Sequence, residues 1–231
     1  MARVVIFSGA GISAESGLST FRDSDGLWER YRIEDICQAG CLRWNRENTL
    51  AFYDARREQL NSVTPNAAHH AIAKLQEKYP NDIALITQNV DDLFERAGCK
   101  DILHLHGFLP NLRCEQCGKV HHIGYNKQER DFTCKSCNGL LRPDIVFFGE
   151  PAPMYEHLYE AMEECQFLVI IGSSGNVIAM DHFARNVKIS ILNNLEPSDA
   201  INERVYTKVL HKKATEAVDE IVGDVEKFLR E

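Results

Sequence analysis

No apolar run in this sequence approaches the roughly 18–20 residues needed to cross a bilayer. The start also lacks the charged, apolar and small-residue order of a secretory signal, since Met1 leads straight into Val4-Val5-Ile6-Phe7. These absences lead to the expectation of a cytoplasmic protein with no membrane partner. Internal repeats and low-complexity stretches are missing as well, which sets aside repeat architectures. Basic residues are the scarcer charge, 26 Lys and Arg against 34 Asp and Glu, for a net charge of −8. An acidic surface repels phosphate backbones, so nucleic acid is not expected as the main ligand, while lysine-rich partners are attracted. In a reducing compartment the eight cysteines require an explanation other than a disulfide framework.

What is present is ordinary for a globular chain: 231 residues, 44% hydrophobic and 26% charged. That length suits one large domain carrying a modest insertion, and a monomer is expected. Short β-branched runs at 4–7, 83–86, 167–171 and 189–192 each lead directly into glycine or small polar residues. Such unbroken runs fit strands buried on both faces of a parallel sheet. Between them, 66–79, 154–165 and 214–229 place apolar residues at helical spacing. Alternating strands and helices imply an α/β fold, an open, doubly wound parallel sheet. Its ligands bind beyond the carboxyl ends of the strands, where the polar clusters fall. Two stretches break the rhythm, an apparently helical one over 21–64 and a cysteine- and histidine-rich one over 108–143. Residues 1–20, 65–107 and 144–231 are thus expected to form the large domain, and the two interruptions a smaller lobe.

Cys114-x2-Cys117 and, sixteen residues later, Cys134-x2-Cys137 have the spacing of a zinc ribbon. Four thiolates close a tetrahedral shell with no open position, so the Zn2+ is expected to be structural and to contribute on the order of 10 kcal/mol to folding of the insertion. Cys37-x3-Cys41 has no second half, and with Cys99 and Cys165 reads as packed thiols.

Gly9-Ala10-Gly11 directly after a strand is the first half of a dinucleotide fingerprint, with Ala14 in the third glycine's place. A dehydrogenase needs a second strand ending in an acidic residue about twenty residues on. That region reads Ser19-Thr20-Phe21-Arg22-Asp23-Ser24-Asp25, a loop, so hydride transfer is disfavoured.

Gly9-Ala10-Gly11-Ile12-Ser13-Ala14-Glu15-Ser16-Gly17, followed by Phe21-Arg22 and Gly26-Leu27-Trp28, resembles the NAD loop of sirtuins. So do Thr87-Gln88-Asn89-Val90-Asp91, Leu105-His106-Gly107, the cysteine pairs, Arg142-Pro143, Phe148-Gly149-Glu150, Gly172-Ser173-Ser174 and Asn194-Leu195-Glu196. The motifs run in the family's order from residue 9 to about 196. The resemblance implies a Rossmann-type domain, a zinc-bearing small domain and acylated-lysine substrates bound between them. It also implies NAD+ as co-substrate, giving nicotinamide, O-acyl-ADP-ribose and free lysine. His106 would be the general base, an imidazole titrating near neutrality, with Gly107 leaving room for ribose. Asn89 and Asp91 would act at the reacting ribose. Gly9, Ala10, Gly11, Ser13, Glu15, Thr20, Phe21, Arg22, Trp28, Gln88 and Val90 would line the nucleotide. Gly172, Ser173, Ser174, Asn194, Leu195, Glu196 and Ala214 would hold its adenosine half. Residues 145–148 read as an extended stretch to which a substrate peptide adds as a strand, with Val146, Phe147, Phe148 and Gly149 as the substrate-binding residues. His104, on the same strand face as His106, reads as structural.

Tyr53 and Arg56, three apart on one helix face, offer a phenol and a guanidinium to a carboxylate. The pair resembles that of sirtuins acting on succinyl- and malonyl-lysine. On the residues alone, Tyr53 packs and Arg56 is solvated like Arg57. The sequence departs from the family at Ser24-Asp25, Phe94, Ser173 and 177–180, none of which touches His106, Asn89 or Asp91. The rival activity for the same NAD site is mono-ADP-ribosyl transfer to protein, and the rival of another class is a zinc-ribbon interaction module.

Overall fold

The computed structural model describes residues 2–18 and 32–231. Among the described residues, nine strands run in chain order: β1 Val4–Ser8, β2 Ile83–Thr87, β3 Leu103–His104, β4 Gly107–Cys114, β5 Val120–His122, β6 Leu141–Ile145, β7 Phe167–Ile171, β8 Ile189–Asn193 and β9 Lys208–Leu210. Six of them form one parallel sheet in the order β3-β2-β1-β7-β8-β9. The chain winds outward from β1 in one direction and from β7 in the other. The order therefore reverses between β1 and β7, which opens a crevice at their carboxyl ends.

Period-two alternation explains why the central strands read as continuous apolar runs. Val4, Ile6, Phe167, Val169 and Ile171 point into one buried layer with the helices Ala67–Lys78 and Ala214–Arg230. Val5, Phe7, Leu168 and Ile170 point into the opposite layer, with Leu158 and Met162 of the helix Tyr155–Glu163. The helix Ala67–Lys78 starts where Asn66 caps it: its side chain accepts from the Ala68 and His69 backbone N–H groups, and His69 Nδ1 accepts in return from the Asn66 N–H.

Both interruptions depart from the sheet. Among the described residues of 21–64 the chain is helical, at Ile33–Ile36, Cys41–Trp44 and Arg46–Ser62. The other interruption carries β4, β5 and β6 as a three-stranded antiparallel sheet, ordered β5-β4-β6. Leu50, Phe52, Tyr53 and Leu60 share a third core with Leu109, Ile145 and Phe147, so the helical stretch packs on the β4–β6 pair. None of the described helices is long and apolar enough to cross a membrane.

Candidate active site

At the crevice the β1 and β7 loops interlock, backbone against backbone. A Cβ on Gly9 would stand 2.6 Å from the Gly172 carbonyl oxygen, and one on Gly11 2.6 Å from the Gly172 Cα. The Gly11 N–H donates to that same carbonyl at 2.9 Å. These glycines permit close approach of two loops to each other, and Ala10 caps the short helix Gly11–Ala14 between them.

The loop after β2 joins the crevice through side chains. Asn89 Nδ2 donates to Ser13 Oγ at 3.1 Å, and Ser13 Oγ donates to Asp91 Oδ2 at 2.9 Å, all buried. Burial raises the Asp91 carboxyl above its usual range, partly offset by hydrogen bonds from the Leu93 N–H and Ser13. Gln88 Nε2 reaches across to Ser173 Oγ at 3.0 Å. Behind them, Thr87 Oγ1 accepts from Ser8 Oγ and from the Asn89 N–H. Val90 packs below, its carbonyl accepting from the Leu109 N–H.

Two histidines anchor to successive carbonyls of this loop. His106 Nδ1–H donates to the Gln88 carbonyl at 3.1 Å, and His104 Nδ1–H to that of Asn89 at 2.9 Å. Their second nitrogens face different groups: His106 Nε2 lies 2.9 Å from the Tyr155 hydroxyl, His104 Nε2 2.7 Å from Glu95. Burial pulls the His106 pKa below its ordinary value, only partly offset by the Gln88 carbonyl. For His104 burial acts the same way, but Glu95 and the Asn89 carbonyl outweigh it and the pKa rises. The carbonyl on Nδ1 leaves Nε2 as the basic nitrogen of the neutral His106 ring, whereas His104 is held between a carbonyl and a carboxylate. Gly107 is also required by the fold: at φ +95° a Cβ there would sit 2.0 Å from the Asp144 carbonyl oxygen, so its absence permits the β4–β6 crossing.

On the β8 side, Asn194 Nδ2 donates to the Ser173 carbonyl at 2.8 Å, and Ser198 Oγ to that of Ser174 at 2.6 Å. Leu195 and Glu196 are exposed on the loop that follows. The Ala214 side chain is buried in the first core layer rather than open to the crevice. Glu15 is exposed, and its carboxylate accepts from the backbone N–H and hydroxyl of Thr215, tying the β1 loop to the start of the C-terminal helix.

The other end of the crevice is lined by the helix Arg46–Ser62. Tyr53 is buried and stacks on Phe147, with ring centroids 5.7 Å apart, and its hydroxyl lies 3.4 Å from Cys37 Sγ. Burial lowers the Arg56 pKa, while the charges of Asp91, Tyr53 and Cys37 act in the opposite direction. Its Nη1 donates to Gln59 at 2.6 Å. Arg57 corrects the comparison with a solvated arginine: it is 0% exposed, donating to the Leu109 carbonyl at 2.9 Å and to Asp54 at 3.0 Å.

The stretch after β6 is less open to strand addition than its sequence suggests. The Phe148 N–H donates to the Cys37 carbonyl and its carbonyl accepts from the Ala39 N–H, both at 2.8 Å. The Val146 N–H donates to the His106 carbonyl at 2.9 Å. Phe147 is buried and does not reach the surface: its N–H donates to Glu150, and the Arg142 guanidinium lies 4.0 Å from its ring centroid. Arg142 also holds both oxygens of Glu150, at 2.6 and 3.0 Å, fixing the turn at Gly149. Phe148 is the exposed aromatic of the four.

The sulfur atoms of Cys114, Cys117, Cys134 and Cys137 all lie within 4.8 Å of one another. Tetrahedral zinc with bonds of about 2.3 Å separates its sulfurs by roughly 3.8 Å, close to the 3.5 and 3.6 Å of Cys114–Cys137 and Cys117–Cys134. The Ser136 N–H donates to Cys134 Sγ, which favours the thiolate that a metal needs. Cys37, Cys41, Cys99 and Cys165 are buried thiols, as packing predicts.

Thr20, Phe21, Arg22, Trp28 and the Ser24-Asp25 departure lie outside the described residues. Three participants escaped the sequence reading: Tyr155 against His106, Glu95 against His104, and Cys37 against Tyr53. Only for Glu95 was a signal available, a carboxylate one turn into the helix that follows Asp91. Buried Phe94 packs edge-on against His69 at 4.9 Å, so that departure is a core contact.

Comparison with known proteins places these residues in context. A Sir2 family model matches residues 9–179. An NAD-dependent protein deacylase of Campylobacter jejuni (strain RM1221) is 47% identical over 232 residues, covering 100% of this chain and 99% of its own. The crystal structure of a Sir2 homologue–NAD complex aligns with a TM-score of 0.85 at 34% identity, over 98% of this chain and 90% of that one. A Sir2 protein bound to a deacetylated p53 peptide and 3′-O-acetyl ADP ribose aligns at 0.76 and 27% identity, over 96% and 92%.

Proposed function

Since this chain belongs to the Sir2 family, we propose that it is a protein-lysine deacylase acting on succinyl- and malonyl-lysine as well as acetyl-lysine. The coarser statement stands on the relatives: the chain is an NAD-dependent protein deacylase with NAD as co-substrate and a tetracysteine cluster fitted to structural zinc. The finer one is supported by a single observation. Tyr53 and Arg56 stand three apart on the helix Arg46–Ser62, which meets the β1 loop where Gln59 Nε2 donates to the Gly17 carbonyl and packs with Val90 of the Asn89–Asp91 loop, so a phenol and a cation are carried toward the crevice. An acyl chain ending in a carboxylate gains a charge-assisted hydrogen bond there, and an acetyl group does not.

When bound, NAD supplies an electrophilic ribose carbon and a neutral leaving group, so positioning matters more than acid catalysis. Asn89 and Asp91, fixed through Ser13, orient the ribose, and Gln88 and Ser173 hold the rim between the two loops. His106 accepts the proton of a ribose hydroxyl at Nε2, with Nδ1–H anchored on Gln88. Ser174, Asn194 and Glu196 face the adenosine half, and Gly149 and Phe148 the peptide. The zinc-bearing sheet with its helical neighbour forms the second lobe, acylated proteins are the substrates, and transfer of ADP-ribose to protein is the rival outcome.

Nicotinamide release from acetyl-, succinyl- and malonyl-lysine peptides tests this. Arg56→Met is expected to cut kcat/KM for succinyl-lysine roughly 30- to 150-fold, the loss of about 2–3 kcal/mol that a hydrogen bond to a charged group carries. Deacetylation should hold within a few-fold. Equal loss of both activities would assign Arg56 to the scaffold, and labelled ADP-ribose on protein would replace the reading altogether.

A further inference from the structure

The general base carries a feature that its role as base does not require. The imidazole of His106 is bonded at both nitrogens, Nδ1 to the Gln88 carbonyl at 3.1 Å and Nε2 to the Tyr155 hydroxyl at 2.9 Å. A carbonyl oxygen only accepts, so Nδ1 carries the proton. In the neutral ring, Nε2 is then an acceptor and the phenol is its donor. Tyr155 opens the helix Tyr155–Glu163, and its ring stands 5.9 Å from the imidazole, centroid to centroid, tilted by 49°. That helix is seated by buried Leu158 and Met162 on the second core layer, so the phenol approaches from a rigid element.

We propose that Tyr155 is a positioning residue for His106: its hydroxyl stands where the reacting ribose hydroxyl must come, holds the imidazole in the Nδ1–H tautomer, and yields to the nucleotide. The inference rests on His106 being the base. The exchange balances without any further reagent. One O–H donor to Nε2, the phenol, is replaced by another, the ribose hydroxyl, whose proton then passes to Nε2 as its oxygen attacks.

Among the described residues, the groups facing this ring are the Gln88 carbonyl from the β2 loop and the Tyr155 phenol, with Tyr159 one turn behind the phenol. A donor on Nε2 favours the neutral imidazole, so the phenol holds the base ready at lower pH.

Tyr155→Phe removes the donor and keeps the ring. The expected result is an acidic limb of the deacylation pH profile moved upward by about half to one pH unit, the equivalent of one hydrogen bond of about 1 kcal/mol. Nicotinamide exchange, which does not use the base, should stay within twofold. In the unaltered protein, nitrogen NMR of His106 should show a protonated Nδ1 and a hydrogen-bonded, unprotonated Nε2. Superimposable pH profiles, a parallel fall of both steps, or an Nε2–H tautomer would each overturn the proposal. Full deacylation by His106→Ala would instead remove the reading beneath it, whereas an inactive His106→Ala alongside an unshifted Tyr155→Phe would defeat this inference alone.

Discussion

At the scale of single residues, the two histidines show how identical side chains receive opposite electrostatics from their second partner. Both donate Nδ1–H to carbonyls of one loop, yet one nitrogen of His104 meets a carboxylate and the corresponding nitrogen of His106 a phenol. His104 is mostly buried, at 13% side-chain exposure, and Glu95 with the Asn89 carbonyl raises its pKa against the effect of burial, so its protonation is linked to folding. A raised pKa stabilises below the unfolded value of about 6.5, and that contribution disappears as pH rises through the folded value. Glu95→Gln should therefore destabilise by about 1 kcal/mol at pH 5.5, and the gap to the unaltered protein should shrink toward pH 8.5. Urea unfolding at the two pH values measures it, and a gap of constant size would leave the ion pair without a role. Comparing the two proteins cancels His69, whose burial drops it to about 4 and which stabilises in the opposite pH direction. The His-x-His-Gly order made both rings legible in the sequence, but their partners were not. Glu95 and Tyr155 stand 9 and 49 residues away, and apart from the position of Glu95 in the helix after Asp91 nothing local marks which side chain the fold brings back.

Among elements, the decisive contact is the one between the loops after β1 and β7. Gly172 has φ +65°, and a Cβ there would lie 2.5 Å from the Ile12 backbone nitrogen. Backbone cannot swing aside as a long side chain does. Gly172→Ala is expected to cost about 3 kcal/mol or more, from the left-handed conformation and the clash together. Gly118 is the control: at φ +72° with no atom within 4 Å of its added Cβ, Gly118→Ala meets the conformational cost alone, about 1–2 kcal/mol. Denaturant midpoints and NAD binding of both variants separate the effects, and equal losses would mean that the interlock adds nothing. The long elements were legible because packing on two sheet faces leaves apolar runs and helical stripes. β9 was not, since Lys208–Leu210 is too short to carry a period and joins the sheet only through β8. The 145–148 stretch was legible only in part, for a related reason. Its extended pattern shows in the sequence, but its pairing with Gln38 across more than a hundred residues does not.

At the scale of the whole molecule, the two β-sheets differ in what holds them together. The large sheet has two deep apolar layers, whereas the zinc-side core comprises only Leu112, Cys114, Cys134 and Leu141 among its buried residues. So small a core does not sustain a fold of fewer than about 40 residues without a metal or a cross-link. Polar ties add to it from the helix Arg46–Ser62: Arg46 donates to the Leu141 carbonyl and pairs with Glu115 at 2.7 Å, and Arg57 holds the Leu109 carbonyl. Arg46 thus holds the zinc end of the β4–β6 pair, where Cys114 faces Leu141, and Arg57 holds it near the base, where β4 and β6 adjoin His106 and Val146. The cysteine spacing made the metal legible, but not that its loss would be transmitted along β4 toward the base. Chelation is therefore expected to loosen 114–141 while leaving the six-stranded sheet folded. Trypsin should then cut at Lys119, Lys127, Arg130 and Lys135, far-UV dichroism should change little, and deacylation should fall as the β4–β6 register slackens beside His106. Zinc added before proteolysis should restore both protection and activity. Chelated protein that keeps these four sites protected would mean that the apolar and polar ties suffice, and that the thiolates contribute no folding energy through a metal.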